Sequence, residues 1–169
     1  MAHGLVLSRR ATAAERDVAP ELLRRARDSL FGRRDLLGVT MADIRIAELT
    51  AEAGEVARGI ESARSIVGRL FENGEMFLRG SATSALVESL LRRGSDTDVQ
   101  EAAAAIERLA DVPTDPGFVL NEIQLLRMRA LLARADGDET AYRDYRDRYR
   151  AMATSLGFEG HMKWAEAMP

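Results

Sequence analysis

The chain has 169 residues, 46% of them hydrophobic and 30% charged, with a net charge of −3 and no cysteine. Such a chain has the size and composition of one folded domain rather than a disordered tail. Disulfide frameworks, thiolate metal sites and cysteine nucleophiles are excluded, and no strong field favours nucleic acid or an anionic membrane.

No apolar run approaches the roughly 18 residues needed to span a bilayer. The opening MAHGLVLSRR places its arginines after the apolar patch, the reverse of a secretory signal, so a cytoplasmic location is expected. Lys163 is the sole lysine. That skew, with abundant alanine, reads as the codon bias of a GC-rich genome rather than as phosphate recognition.

Helical periodicity runs nearly throughout and no stretch alternates as a strand would, so the expected fold class is all-α. The first helical stretch is 5–16. Further helices are predicted over 20–31, 40–53, 55–73, 79–93, 98–110, 116–135, 139–156 and 159–167. Pro20 and Pro116 suit first helical positions, with Ala19 and Asp115 as caps, while Pro113 ends the helix before it. Thr97 to Gln100 has the spacing of a capping box. Gly157 followed by Phe158 fits a left-handed helix stop with its apolar clasp.

Three junctions look alike: AEAGEVA at 51–57, RRGSDTDV at 92–99 and ARADGDETA at 133–141. Each joins an alanine- or leucine-rich helix to the next through a glycine beside an acidic residue. First helices begin near 40, 79 and 116, and second helices near 55, 98 and 139, a period of about 40 residues. The reading is a single domain, 1–169, of helical-hairpin repeats. Residues 1–39 form an irregular start, the repeats are 40–78, 79–115 and 116–157, and a capping helix occupies 158–169.

This resembles a tetratricopeptide-like α-solenoid, with Ala57, Ala102 and Ala141 as the small residues early in each second helix. The tryptophan and Leu-Gly of that consensus are missing, and its repeat is shorter.

YRDYRDRYR at 142–150 gathers three tyrosines and four arginines. On a helix, Tyr142, Tyr145 and Tyr149 fall within about 60° of one another. Met152, Ala153 and Leu156 continue their stripe. The charged residues take the rest of the circumference, with Arg143–Asp147 and Asp144–Arg148 as i,i+4 pairs of ~0.2–0.5 kcal/mol each. A base-stacking platform would interleave the two chemistries on one face. Their separation predicts a buried tyrosine seam instead.

Catalytic, cofactor-binding and metal-binding constellations are not found. His3 and His161 are the only histidines, and His161 is expected to pack or cap the last helix. The loops SDTD at 95–98 and DGDE at 136–139 lack the ligand spacing of a calcium loop and read as helix caps. RGSATS at 79–84 lacks the second glycine and the lysine of a phosphate-binding loop. ELLRRARDSLFGRR at 21–34 carries five arginines against two acids, yet its apolar spacing is that of an ordinary amphipathic helix.

In stacked hairpins the first helices line the concave side. Asn121, Gln124 and Arg127 form a polar stripe on the otherwise apolar helix 116–135, and are the candidate partner-binding residues.

Residues 130–169, and within them DGDETAYRDYRDRYR and SLGFEGHMKWAEAM, resemble the end of a group of actinobacterial regulators. These join an adenylate/guanylate cyclase domain, an AAA-type ATPase domain and a C-terminal tetratricopeptide-like region, some ending in a LuxR-type DNA-binding domain. The resemblance weakens over 40–129 and stops there. It implies a sensory or scaffolding arm, and the chain reads as the tail of such a regulator. A cyclase's metal-binding aspartates, a Walker motif and a terminal helix-turn-helix are not found.

The function expected is therefore a non-catalytic module for protein–protein or interdomain contact. Its partner would be a protein, a peptide or another domain of a parent chain. Neither nucleic acid nor membrane is expected, and the first and last helices are available for a homodimer. The alternative is part of a transcriptional regulator that touches DNA through the basic helix 20–31.

Overall fold

The computed structural model describes residues 13–114 and 118–168. The protein is all-helical: among the described residues there are eight α-helices and no strand. They are α1 (Ala13–Gly32), α2 (Leu36–Glu52), α3 (Val56–Glu72), α4 (Arg79–Arg93), α5 (Asp96–Ala110), α6 (Val119–Ala135), α7 (Glu139–Ser155) and α8 (Glu159–Ala167). None is long and apolar enough to cross a membrane. Contacts group the chain into two compact units, residues 1–89 and 90–169, with the boundary inside α4.

In the first unit α1, α2 and α3 run alternately up and down. α1 passes straight through Pro20 rather than starting there, as the sequence reading has it. Proline's fixed φ is compatible with a helix, and the costs are a missing N–H bond to the preceding turn and the crowding of its ring against the carbonyl four residues back. Part of the expected first helix merges into α1; residues 5–12 lie outside the described residues. Ala19 and Leu23 of α1 are fully buried against Leu49 and Ile46 of α2.

α1 stops at a left-handed Arg34 (φ 59°), with the Asp35 N–H bonded back to the Leu30 carbonyl at 3.0 Å. Asp35 then caps α2 by accepting from the Gly38 N–H at 2.9 Å. That cap starts α2 four residues before the expected Thr40, in a stretch whose Gly38 reads as a breaker.

One carboxylate ties the three helices together. Asp43 of α2 accepts a hydrogen bond from the Arg27 guanidinium of α1 and lies 3.8 Å from that of Arg69 in α3. The bond to Asp43 is the main reason the Arg27 guanidinium is held more firmly protonated than usual.

α2 and α3 are in close contact at Gly59, where an added Cβ would lie 2.7 Å from the Ala51 Cβ and 3.0 Å from the Ala47 carbonyl oxygen. The expected small residue, Ala57, is exposed. Two residues further on, Gly59 takes the position on the helix that faces α2.

In the second unit α5 opens with a capping box two residues ahead of the one expected at Thr97–Gln100. The Ser95 hydroxyl accepts from the Asp98 N–H, and the Asp98 carboxylate accepts from the Ser95 N–H at 3.1 Å. Asp98 is buried and also accepts from Arg93 Nε at 2.8 Å. Arg93, then Ser95, holds its carboxyl well below the usual carboxylate range.

The expected start of α6 at Pro116, capped by Asp115, lies outside the described residues; the helix runs from Val119. Ile123 and Leu126 of α6 pack with Tyr149 and Ala153 of α7 and Ala165 of α8. Ala130 and Ala133 pack with Tyr142. α7 stops as expected: Gly157 is left-handed at φ 66°, and the Phe158 N–H bonds the Ala153 carbonyl at 3.0 Å.

Two predictions follow from these contacts. Gly59→Ala destabilises the protein by about 1–3 kcal/mol through overpacking. Gly68→Ala in the same helix, where nothing lies within 4 Å, stabilises it by about 0.5–1 kcal/mol; urea denaturation reads both.

The Asp98 carboxyl is more acidic folded than unfolded, where it titrates near about 4. Its contribution is therefore complete above that pH and is lost as pH falls below it. The stability difference between wild type and Asp98→Asn, followed by denaturation against pH, narrows as pH drops below about 4.

Candidate functional site

α6 carries the three residues singled out from sequence. It is buried on two sides: Ile123, Leu126, Ala130 and Ala133 face α7 and α8, while Arg129 on another side reaches Glu107 of α5 at 3.4 Å. At 100° per residue Gln124 and Arg127 share a third sector with Leu120 and Leu131, about 60° wide. All four are half-buried. Asn121 lies about 60° beyond the edge of this stripe, on the side of the fully buried Met128, and is 4% exposed, so it is covered rather than presented as the sequence reading supposes.

The amides have an unusual standing. Both side-chain polar atoms of Asn121, and Oε1 of Gln124, are buried without a hydrogen-bond partner. A buried polar atom left in that state costs roughly 1–3 kcal/mol. Together they offer one N–H donor group and two carbonyl acceptors, the complement of an extended peptide backbone.

Arg127 does something different from the other two. Its guanidinium carbon sits 4.9 Å from the centroid of the Trp164 ring, linking α6 to α8. Trp164 in turn meets His161 edge to face, with ring centroids 5.0 Å apart. His161 Nδ1 and the Tyr149 hydroxyl share a hydrogen bond of 2.8 Å, and Tyr149 is fully buried. The last histidine therefore does pack the terminal helix, and it also satisfies the polar end of the innermost tyrosine. Residues 37 positions apart meet here, which helical periodicity has no means to register.

The tyrosine seam forms as predicted, with Tyr142 and Tyr149 buried and Tyr145 half-buried. Of the two expected charge pairs on the opposite face, Asp144 pairs with Arg148 at 3.1 Å. Arg143 instead reaches back to Glu139 at 2.7 Å, and Asp147 pairs with Arg146. Arg146 and Arg148 also lie over the rings of Tyr142 and Tyr145, each at 5.5 Å. The stacking chemistry suggested by YRDYRDRYR is thus satisfied within α7.

The basic helix is occupied in a similar way. Arg24 and Arg25 both pair with Glu21, and Arg27 with Asp43. Its arginines balance local acids, which leaves little charge for phosphates. Among the described residues no group of three His, Asp or Glu side chains could hold a metal ion. No family model, curated protein or solved structure matches the chain.

The Tyr149 hydroxyl hydrogen-bonds His161 in a fully buried position. Tyr149→Phe is expected to lower stability by about 0.5–1.5 kcal/mol in urea denaturation, leaving the helical circular dichroism signal unchanged.

Proposed function

We propose that this chain is a non-catalytic helical-hairpin repeat module, of the tetratricopeptide-like solenoid kind, that binds a protein or peptide segment along α6. Such repeats expose an extended face of first helices on a scaffold whose stability comes from neighbour-to-neighbour packing. The observation that carries this reading is the pair of unpartnered amides, Asn121 and Gln124, beside the half-buried stripe of α6. A stable fold gains nothing from three buried polar atoms without partners. A backbone seated on the stripe would give the Gln124 carbonyl its donor, and would meet the covered Asn121 amide if the side chains over it move aside.

The likeness of residues 130–169 to the C-terminal arm of cyclase–ATPase regulators supports the same reading, with a domain of a parent chain as one form of partner. Contact with DNA through α1 is not favoured, because Arg24, Arg25 and Arg27 each hold a carboxylate partner.

Peptides selected from a random display library against the full chain supply the probe. In isothermal titration, Asn121→Leu and Gln124→Leu are each expected to weaken a selected peptide about tenfold, the loss of roughly 1.4 kcal/mol. Asn121→Leu should also raise the urea midpoint, since it removes unpaired polar atoms from a buried position. Unchanged affinity in both variants would rule out α6 as the binding face.

A further inference from the structure

The first unit has a surface that the α6 reading leaves unused. α1 and α3 both end, and α2 begins, at the same end of that unit, as the Arg27–Asp43–Arg69 link requires. Among the described residues, the exposed large apolar side chains all lie in the segments 31–37 and 73–77 at that end: Phe31, Leu36, Leu37, Met76 and Phe77. Leu36 is 66% and Phe31 63% exposed. Single exposed apolar residues are ordinary, but a group of this size gathered at one end marks an interaction surface.

Its charges identify the occupant. Arg33 and Arg34 lie on the α1–α2 turn, and Glu72 and Glu75 flank the α3–α4 turn; none of the four makes an ion pair among the described residues. Arg24, Arg25 and Arg27 of α1, by contrast, are each paired with a carboxylate. The α1–α2 turn thus carries two cations and the α3–α4 turn two anions, without ion-pair partners among the described residues, and both turns also carry the exposed apolar side chains. Turned about a two-fold axis, such a patch matches itself, because in a two-fold interface residue i meets j and j meets i. A lipid surface would favour cations alone.

The backbone adds a second sign. Arg34 is the one non-glycine residue with positive φ among the described residues, whereas the later helix stops use glycine. A left-handed conformation is unfavourable for a side chain of this kind. The charge is kept at a position where glycine would be more stable.

We infer that the apolar end formed by Phe31, Leu36, Leu37, Met76 and Phe77 is the interface of a two-fold homodimer, registered by Arg33 and Arg34 of each copy against Glu72 and Glu75 of the other. The interface is independent of α6 and stands whether or not α6 binds a peptide.

Sedimentation velocity over a wide concentration range tests it, using three full-length chains. These are the wild type, the Arg33→Glu/Arg34→Glu variant and the Glu72→Arg/Glu75→Arg variant. The wild type forms a dimer that weakens with added salt, each variant alone is monomeric, and an equimolar mixture of the two restores the dimer. Arg34→Gly raises the melting temperature and weakens dimerisation about tenfold. The inference is overturned if the wild type stays monomeric at every concentration. It is equally overturned if both variants dimerise as the wild type does, or if the mixture gains nothing over its parts. A wild type that is monomeric yet floats with neutral lipid vesicles, losing this on Phe77→Glu, would assign the patch to a membrane instead.

Discussion

The fold depends on how its helices stop. At Arg34, Gly54, Gly74, Gly137 and Gly157 a single left-handed residue lets the next N–H reach back to a carbonyl in the last helical turn. The bonds run from Asp35 to Leu30, Glu55 to Thr50, Glu75 to Leu70, Asp138 to Ala133 and Phe158 to Ala153, all at 2.9 to 3.1 Å. Each closes the helix and turns the chain. Only three residues then separate α1 from α2, α2 from α3, α6 from α7 and α7 from α8. So short a connection brings the next helix back alongside the last. Everything else in each unit, from the Gly59 contact to the Tyr149 core, is built on neighbours placed in this way.

Within that frame the chain is locally consistent. Polar groups at helix starts are capped by Asp35, Ser95 and Asp138, and the tyrosines of α7 point inward with arginines over their rings. The departures from consistency are few and are of one kind. Amides on α6 lack partners, Arg34 takes a conformation suited to glycine, and apolar side chains collect in water at one end of the first unit. Real proteins break local rules where function requires it. These departures carry the functional reading.

Much of the architecture was legible in the residues. The bounds of α4 and α8, the helix stop at Gly157 and the glycines of the three junctions follow from periodicity and turn chemistry. The misreadings have definite causes. Pro20 suits a first helical position and is unfavourable in an interior one, and the helix runs through it where Ala19 and Leu23 pack on Leu49. Ser95 and Thr97 both have a capping partner three residues on, and the choice falls to Ser95 because Arg93 anchors Asp98.

The site was legible only in outline. Asn121, Gln124 and Arg127 do share α6, but burial of Asn121 and the seat of Arg127 over Trp164 depend on helices distant in sequence. The exposed end of the first unit was likewise out of reach. Phe31 belongs by its spacing to the apolar face of an amphipathic helix, and only the placement of the turns exposes it beside Leu36 and Phe77.

The helix stops themselves offer the most direct test. Native-state hydrogen exchange would follow the backbone N–H groups of Glu55, Glu75, Asp138 and Phe158, each the first beyond its left-handed residue. The account predicts protection of the same order as the flanking helix interiors, because these bonds open only when the helix pair comes apart. Exchange at the rate of an unstructured chain, with the helix interiors still protected, would contradict it.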